Sequence, residues 1–212
     1  MAKTQSYAVA AAVAVVGLLG ATMYYATRPS ADDPFAPCRD SVIAGGASSI
    51  GGPFTLVDET GKTVTDKDVF TKPSLVYFGY TFCPDVCPAD TSRNAEAIDI
   101  IAEMGYDVQP VFISIDPERD TPEVVADFTD YLHEDMLGLT GTPEQVKAAS
   151  QAYKTYFRKQ DGDPEYYLVD HSTFSYLVFP DTGFVEFFKR DLTADELANK
   201  MACYLDIGSY GN

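Results

Sequence analysis

Ser74-Leu75-Val76-Tyr77-Phe78-Gly79-Tyr80-Thr81-Phe82-Cys83-Pro84-Asp85-Val86-Cys87-Pro88 is the stretch that decides the fold. Its first seven residues are continuous and apolar, the pattern of a strand covered on both faces. A helix is expected to open at Pro88, with Ala95, Ile98, Ile101 and Ala102 on its inner side. Two cysteines four positions apart therefore stand at a strand-to-helix junction. Unpaired amides and the positive end of the helix dipole favour the thiolate there. Pro84 and Pro88 restrict the backbone, so the two sulfurs face each other at lower entropic cost.

The elements on either side extend the same pattern. Upstream, Phe54-Thr55-Leu56-Val57, a turn at Asp58-Glu59-Thr60-Gly61 and Lys62-Thr63-Val64 predict a short hairpin. Downstream, Val111 to Ile115 is a second buried strand. Thr121-Pro122-Glu123 caps a helix with Val125, Phe128 and Leu132 facing in. Thr142-Pro143-Glu144-Gln145 caps another, with Val146, Ala149, Tyr153 and Tyr156 facing in. Tyr166 to Val169 leads toward His171, and Phe174 to Phe179 then makes a strand. Pro180-Asp181-Thr182-Gly183 turns it back into Phe184 to Phe188. Thr193, with Glu196 closing the box and Leu192 stapling against Leu197, opens the last helix. This order predicts an α/β, thioredoxin-like fold with an N-terminal β-hairpin and a C-terminal hairpin plus helix. No internal repeat is visible.

The two thiols admit three kinds of chemistry. A purely structural pair fits the strand–loop–helix context least well. A thiol–disulfide oxidoreductase normally has two residues between its cysteines, not three. A metal site needs at least one further ligand. Structural zinc takes four protein ligands, and no second cysteine pair lies nearby. Two thiolates and one imidazole suit monovalent copper, a soft ion content with low coordination. The chain has two histidines to supply the imidazole. His133 follows an amphipathic helix in Tyr131-Leu132-His133-Glu134-Asp135 and reads as structural or solvent-facing. His171, in Val169-Asp170-His171-Ser172-Thr173, precedes a strand that this topology places beside the cysteine loop. It is the candidate third ligand.

At the other end of the chain, Tyr7 to Ala26 is a run of 20 residues without a charge, bounded by Lys3 and Arg28. At about 1.5 Å per residue it spans a hydrocarbon core of roughly 30 Å. The reading is a retained transmembrane anchor over 7–26 behind a cytoplasmic tail over 1–6. A cleaved signal peptide is the alternative, although its apolar part is normally shorter. Residues 27–52, rich in Ala, Ser, Gly, Asp and Pro, read as a tether to a domain over 53–212. Lys3 and Arg28 lie on opposite sides of the span and weaken any orientation argument. The amino end lacks the Arg-rich character of a transit peptide, which argues against a mitochondrial address.

Composition excludes several classes. The 212 residues are 46% hydrophobic and 22% charged, as in ordinary globular chains. The 15 basic residues against 32 acidic ones give a net charge of −17. Setting Lys3 and Arg28 aside leaves 13 basic residues, and the part beyond the anchor carries −19. A nucleic-acid partner needs the opposite sign. Four cysteines are too few for a disulfide scaffold.

Ile50-Gly51-Gly52-Pro53-Phe54-Thr55-Leu56, Tyr77 to Pro88, Ile113-Ser114-Ile115-Asp116-Pro117-Glu118-Arg119-Asp120-Thr121-Pro122 and Asp170-His171-Ser172 together resemble the Sco/SenC family. The resemblance runs over about residues 50–205. It implies a membrane-anchored copper chaperone of respiratory oxidase assembly, not an enzyme in the strict sense. Its implied ligands are Cys83, Cys87 and His171, holding one copper per chain as Cu(I) or Cu(II). The implied partners are the copper A subunit of cytochrome c oxidase, an upstream copper donor and a thiol reductant. The place would be the bacterial inner membrane, with the domain in the periplasm. A thiol–disulfide reductase using Cys83 and Cys87 on the oxidase subunit's cysteines is the alternative. The family does not generally require Cys38 and Cys203. They are expected to form a disulfide laying the tether across the final helix, as an oxidising compartment allows.

Overall fold

Strand β3, Ser74–Gly79, is buried at every residue and lies inside the sheet, as its unbroken apolar run requires. The computed structural model describes residues 13–24, 33–39, 46–163 and 165–211, divided between two units, Met1–Ala44 and Gly45–Asn212. In the second unit the described residues form a seven-stranded sheet. It contains β1 (Thr55–Asp58), β2 (Thr63–Thr65), β3, β4 (Gln109–Ser114), β5 (Leu137–Thr140), β8 (Ser175–Phe179) and β9 (Gly183–Phe188). The order is β2-β1-β5-β4-β3-β8-β9. β3, β4 and β5 run parallel, joined by helical crossovers, and the two terminal hairpins add antiparallel strands at the edges.

The first crossover is α3, Val86–Glu103, which packs against the last helix, α6, Ala194–Ile207. The second, α4 (Pro122–Leu132), lies against β5, and α5 (Pro143–Ala152) lies against β1. The three anticipated threonine caps form: Thr121, Thr142 and Thr193 each accept from the amide three residues on. Gln145 and Glu196 complete their boxes. Leu197, Met201 and Tyr204 of α6 are buried, and Leu56, Tyr77, Phe112, Leu139 and Leu177 fill the centre.

Several local expectations change. α3 begins at Val86, one turn's edge before Pro88, because proline fits the first turn without a missing bond. Ala102 is exposed; Ala97 takes the inner position beside Ile98 and Ile101. On α4 the buried residues are Val125 and Thr129, with the Thr129 hydroxyl donating to the Glu59 carboxylate at 3.1 Å. Phe128 is only half-buried, its ring 4.8 Å from that of Phe112. Tyr156 faces solvent, since α5 has ended before it. Three short elements had no distinct sequence signal: α2 (Asp66–Val69), β5 and β6 (Phe157–Lys159). β6 pairs with β7, Val169–His171, in a separate two-stranded sheet, with Phe157 opposite His171. The chain is tied to this unit before Pro53: the Gly51 amide donates to the Ala152 carbonyl at 2.9 Å.

In the first unit, residues 13–24 are helical (α1), with Val13, Val16, Leu18, Leu19 and Met23 exposed. Among the described residues no helix is long and apolar enough to cross a membrane. The remainder of the expected anchor over 7–26, and all of the tail over 1–6, lie outside the described residues. Of the expected tether, 33–39 and 46–52 are described; Ala36–Cys38 and Ala47–Ser49 each form one 3-10 turn.

Candidate metal centre

The site stands where β3 ends and α3 begins. The Cys83 amide closes a turn on the Tyr80 carbonyl at 3.2 Å. Cys87 lies in the first turn of α3, fully buried, where its own amide has no intrahelical acceptor. That amide donates to the Cys83 sulfur at 3.3 Å. Gly79 makes room for the arrangement. A Cβ there would stand 3.0 Å from the Cys87 sulfur and 2.8 Å from the Tyr77 ring. A side chain at this position would push the buried thiol off the strand.

His171 arrives from the end of β7, half-buried. Its Nε2 is 3.3 Å from the Cys87 sulfur. Its Nδ1 lies 2.8 Å from the Ser172 carbonyl. A carbonyl only accepts, so Nδ1 donates to Ser172 and Nε2 is the nitrogen turned toward the sulfurs. Tyr77 and Tyr80 meet the imidazole edge-on, with centroids 6.4 and 5.7 Å away. The Tyr80 hydroxyl accepts the Val169 amide at 3.2 Å, holding β7 two residues before the histidine. One ligand atom from each of Cys83, Cys87 and His171 lies within 4.8 Å of the other two.

The two sulfurs are electrostatically unequal. A hydrogen bond from Cys87, helped by His171 and nearby amides against the cost of burial, pulls Cys83 down to about 3. Cys87 is pushed well above the usual thiol range by the same hydrogen bond and by burial. Of the pair, Cys83 is therefore the sulfur that ionises first. Both are free, whereas Cys38 and Cys203 are disulfide-bonded. Two soft sulfurs and one imidazole, already converging, form a donor set fitted to a thiophilic ion of low coordination number.

His133 is elsewhere. Its Nδ1 accepts the Asp135 amide at 3.0 Å, and its Nε2 faces the Asp99 carboxylate at 3.4 Å. This matches its reading as a structural residue.

Sequence reasoning gave no role to the groups that hold the cysteine loop. Asp120, buried after β4, accepts the Thr81 amide at 3.1 Å, the Thr81 hydroxyl at 2.6 Å and the Ser114 hydroxyl at 2.6 Å. Burial raises its carboxyl above the ordinary value despite these bonds. Nearby, Asp116 accepts from Arg119 at 2.5 Å and from the Tyr167 hydroxyl at 2.6 Å. The available signal was position. A charged run, Asp116 to Asp120, directly after a buried parallel strand falls at the sheet's carboxyl edge, where sites in such sheets gather.

The comparisons agree with this picture. A family model described as SCO1/SenC matches residues 44–206. Protein SenC of Rhodobacter capsulatus is 53% identical over 204 residues, covering 96% of this chain and 91% of that protein. Arabidopsis thaliana ScoI, solved with copper bound, superimposes with a TM-score of 0.72 at 42% identity, over 74% of this chain and 98% of that one. Bradyrhizobium japonicum ScoI, also solved with copper bound, gives a TM-score of 0.65 at 37% identity, over 76% and 99%.

Proposed function

Because the chain belongs to the SCO1/SenC family, we propose that it is a copper chaperone. It binds one copper ion through Cys83, Cys87 and His171 and delivers it to the dinuclear copper A centre of cytochrome c oxidase. The observation that carries this reading is the convergence of three soft or borderline donors within 4.8 Å, with the imidazole proton already committed to Ser172. Relatives solved with copper bound support it.

The geometry suits transfer better than storage. Three protein ligands leave an approach open to an incoming thiolate from the recipient. Cys83 is ionised beforehand, so loading requires only the Cys87 proton to leave. His171 is the neutral ligand and the one borne on a separate two-stranded sheet, so it is the ligand to dissociate first when a second sulfur attacks the metal. The run over 7–26 acts as a single-pass anchor in the bacterial inner membrane and places the domain in the periplasm. A bond between Cys38 and Cys203 fits that oxidising space. An upstream copper donor supplies the ion, and a thiol reductant keeps Cys83 and Cys87 open.

The unequal thiols favour a second reading, reduction of the oxidase subunit's disulfide. Cys83 thiolate would attack one sulfur, forming a mixed disulfide and releasing the other as thiolate. Cys87 would then displace the partner and give up its proton, leaving a Cys83–Cys87 disulfide and a dithiol partner. An external reductant must reset the pair. Copper loading and disulfide exchange, measured on His171→Ala and Cys83→Ser, separate the two. Delivery predicts that both variants lose copper and only the cysteine variant loses exchange. Full copper retention by His171→Ala would contradict it.

A further inference from the structure

The hairpin of β6 and β7 bonds only to itself among the described strands, and a two-stranded ribbon is marginal alone. Side chains must therefore fix His171 against the cysteine loop. Arg119 is built into that junction, its side chain only 13% exposed. Its Nε donates to Asp116 at 2.5 Å, and its Nη1 donates to the carbonyls of Tyr167 at 3.1 Å and Glu165 at 3.4 Å. The guanidinium stacks on the Tyr167 ring, with its carbon 3.6 Å from the centroid. The same carbon lies 4.8 Å from the centroid of Phe82, the neighbour of Cys83, and 5.7 Å from that of Tyr80. One planar cation thus touches the segment leading to His171 and the segment leading to Cys83.

The remaining nitrogen, Nη2, is buried with no hydrogen-bond partner. Fold stability alone does not account for an arginine here, since an unsatisfied buried donor is a cost. Lysine could supply the charge but not the fork and the flat face together. We infer that Arg119 is a positioning residue for the metal site: it holds the His171 hairpin in register with the cysteine loop, and so sets how firmly the third ligand is engaged. This rests on the ligand set proposed above.

The test uses Arg119→Met and Arg119→Lys, each alone and combined with His171→Ala. Copper(I) affinity is measured by competition with a chromophoric chelator, and the copper(II) form is followed by its thiolate-to-metal absorption. Loss of a residue that orients a metal ligand costs roughly 10–100-fold in affinity. Arg119→Met is expected to lose that much and to shift the absorption toward that of His171→Ala. Arg119→Lys should fall between it and the parent. In the His171→Ala background neither change should weaken binding further. In the metal-free protein, hydrogen exchange at the Gln160 and Ser172 amides, which close the hairpin on Leu168 and Tyr156, should accelerate.

Parental affinity and absorption in Arg119→Met, or in Arg119→Lys should the methionine variant not fold, would overturn the inference. An equal loss with and without His171 would overturn it too, by assigning Arg119 a general structural role. Undiminished copper binding by His171→Ala alone would instead remove the ligand set itself, so the two failures are distinguishable.

Discussion

Cys83 and Cys87 have the same side chain and opposite proton affinities. The difference lies in who donates: Cys83 receives the Cys87 thiol and the Cys87 amide, while Cys87 is sealed beneath it. A lowered value means that the ionised form persists above it. Thiolate absorbance of the reduced protein should therefore stay constant between about pH 8 and about pH 5, far below an ordinary thiol's range, and fall only toward about pH 3. Cys83→Ser should abolish that acid-stable absorbance. A titration centred near the usual cysteine value would refute the asymmetry. Gly79 supports the same sulfur by being small. Gly79→Ala forces its Cβ within 3.0 Å of both Cys87 and the Phe112 ring, and overpacking of this kind costs about 1–3 kcal/mol, readable by denaturant titration. Sequence could not show this requirement, because the closeness of Gly79 to Cys87 exists only once the chain has turned back through the loop.

Legibility varied sharply among the elements. β3 was plain because a strand buried on both faces has no polar residue to interrupt it. The helices starting at Pro122, Pro143 and Ala194 were plain because each carries a threonine cap. β5 and β6 were not. At four and three residues they are too short to express a period, and β6 is mostly exposed. The two cysteines and the histidine were legible as residue types in suitable contexts. What holds them was not: Asp120 reaches Thr81 across 39 positions and Tyr80 reaches Val169 across 89, with no local pattern to announce either. Asp120→Ala would strip acceptors from Thr81 and Ser114, each buried or partly so. The expected destabilisation is about 2–3 kcal/mol, measured by chemical denaturation, with weakened copper retention as the cysteine loop loosens. Asp120→Asn, which keeps an acceptor, should lose less.

At the scale of the whole molecule the chain combines an apolar run over 7–26, an acidic remainder and four cysteines in two different states. The proposed bond between Cys38 and Cys203 predicts a single linked peptide in unreduced digests. Cys203→Ser should lower stability by roughly 2–5 kcal/mol if the loop it closes is unstrained. Deleting residues 7–26 should move the protein from the membrane to the soluble fraction without altering copper stoichiometry. The proposed coordination depends on a histidine 84 positions beyond Cys87. X-ray absorption at the copper edge, taken on the copper(I)-loaded parent and on His171→Ala, tests it most directly. Two sulfurs and one imidazole nitrogen are expected in the parent, with the nitrogen lost in the variant; identical spectra from the two proteins would refute the ligand set.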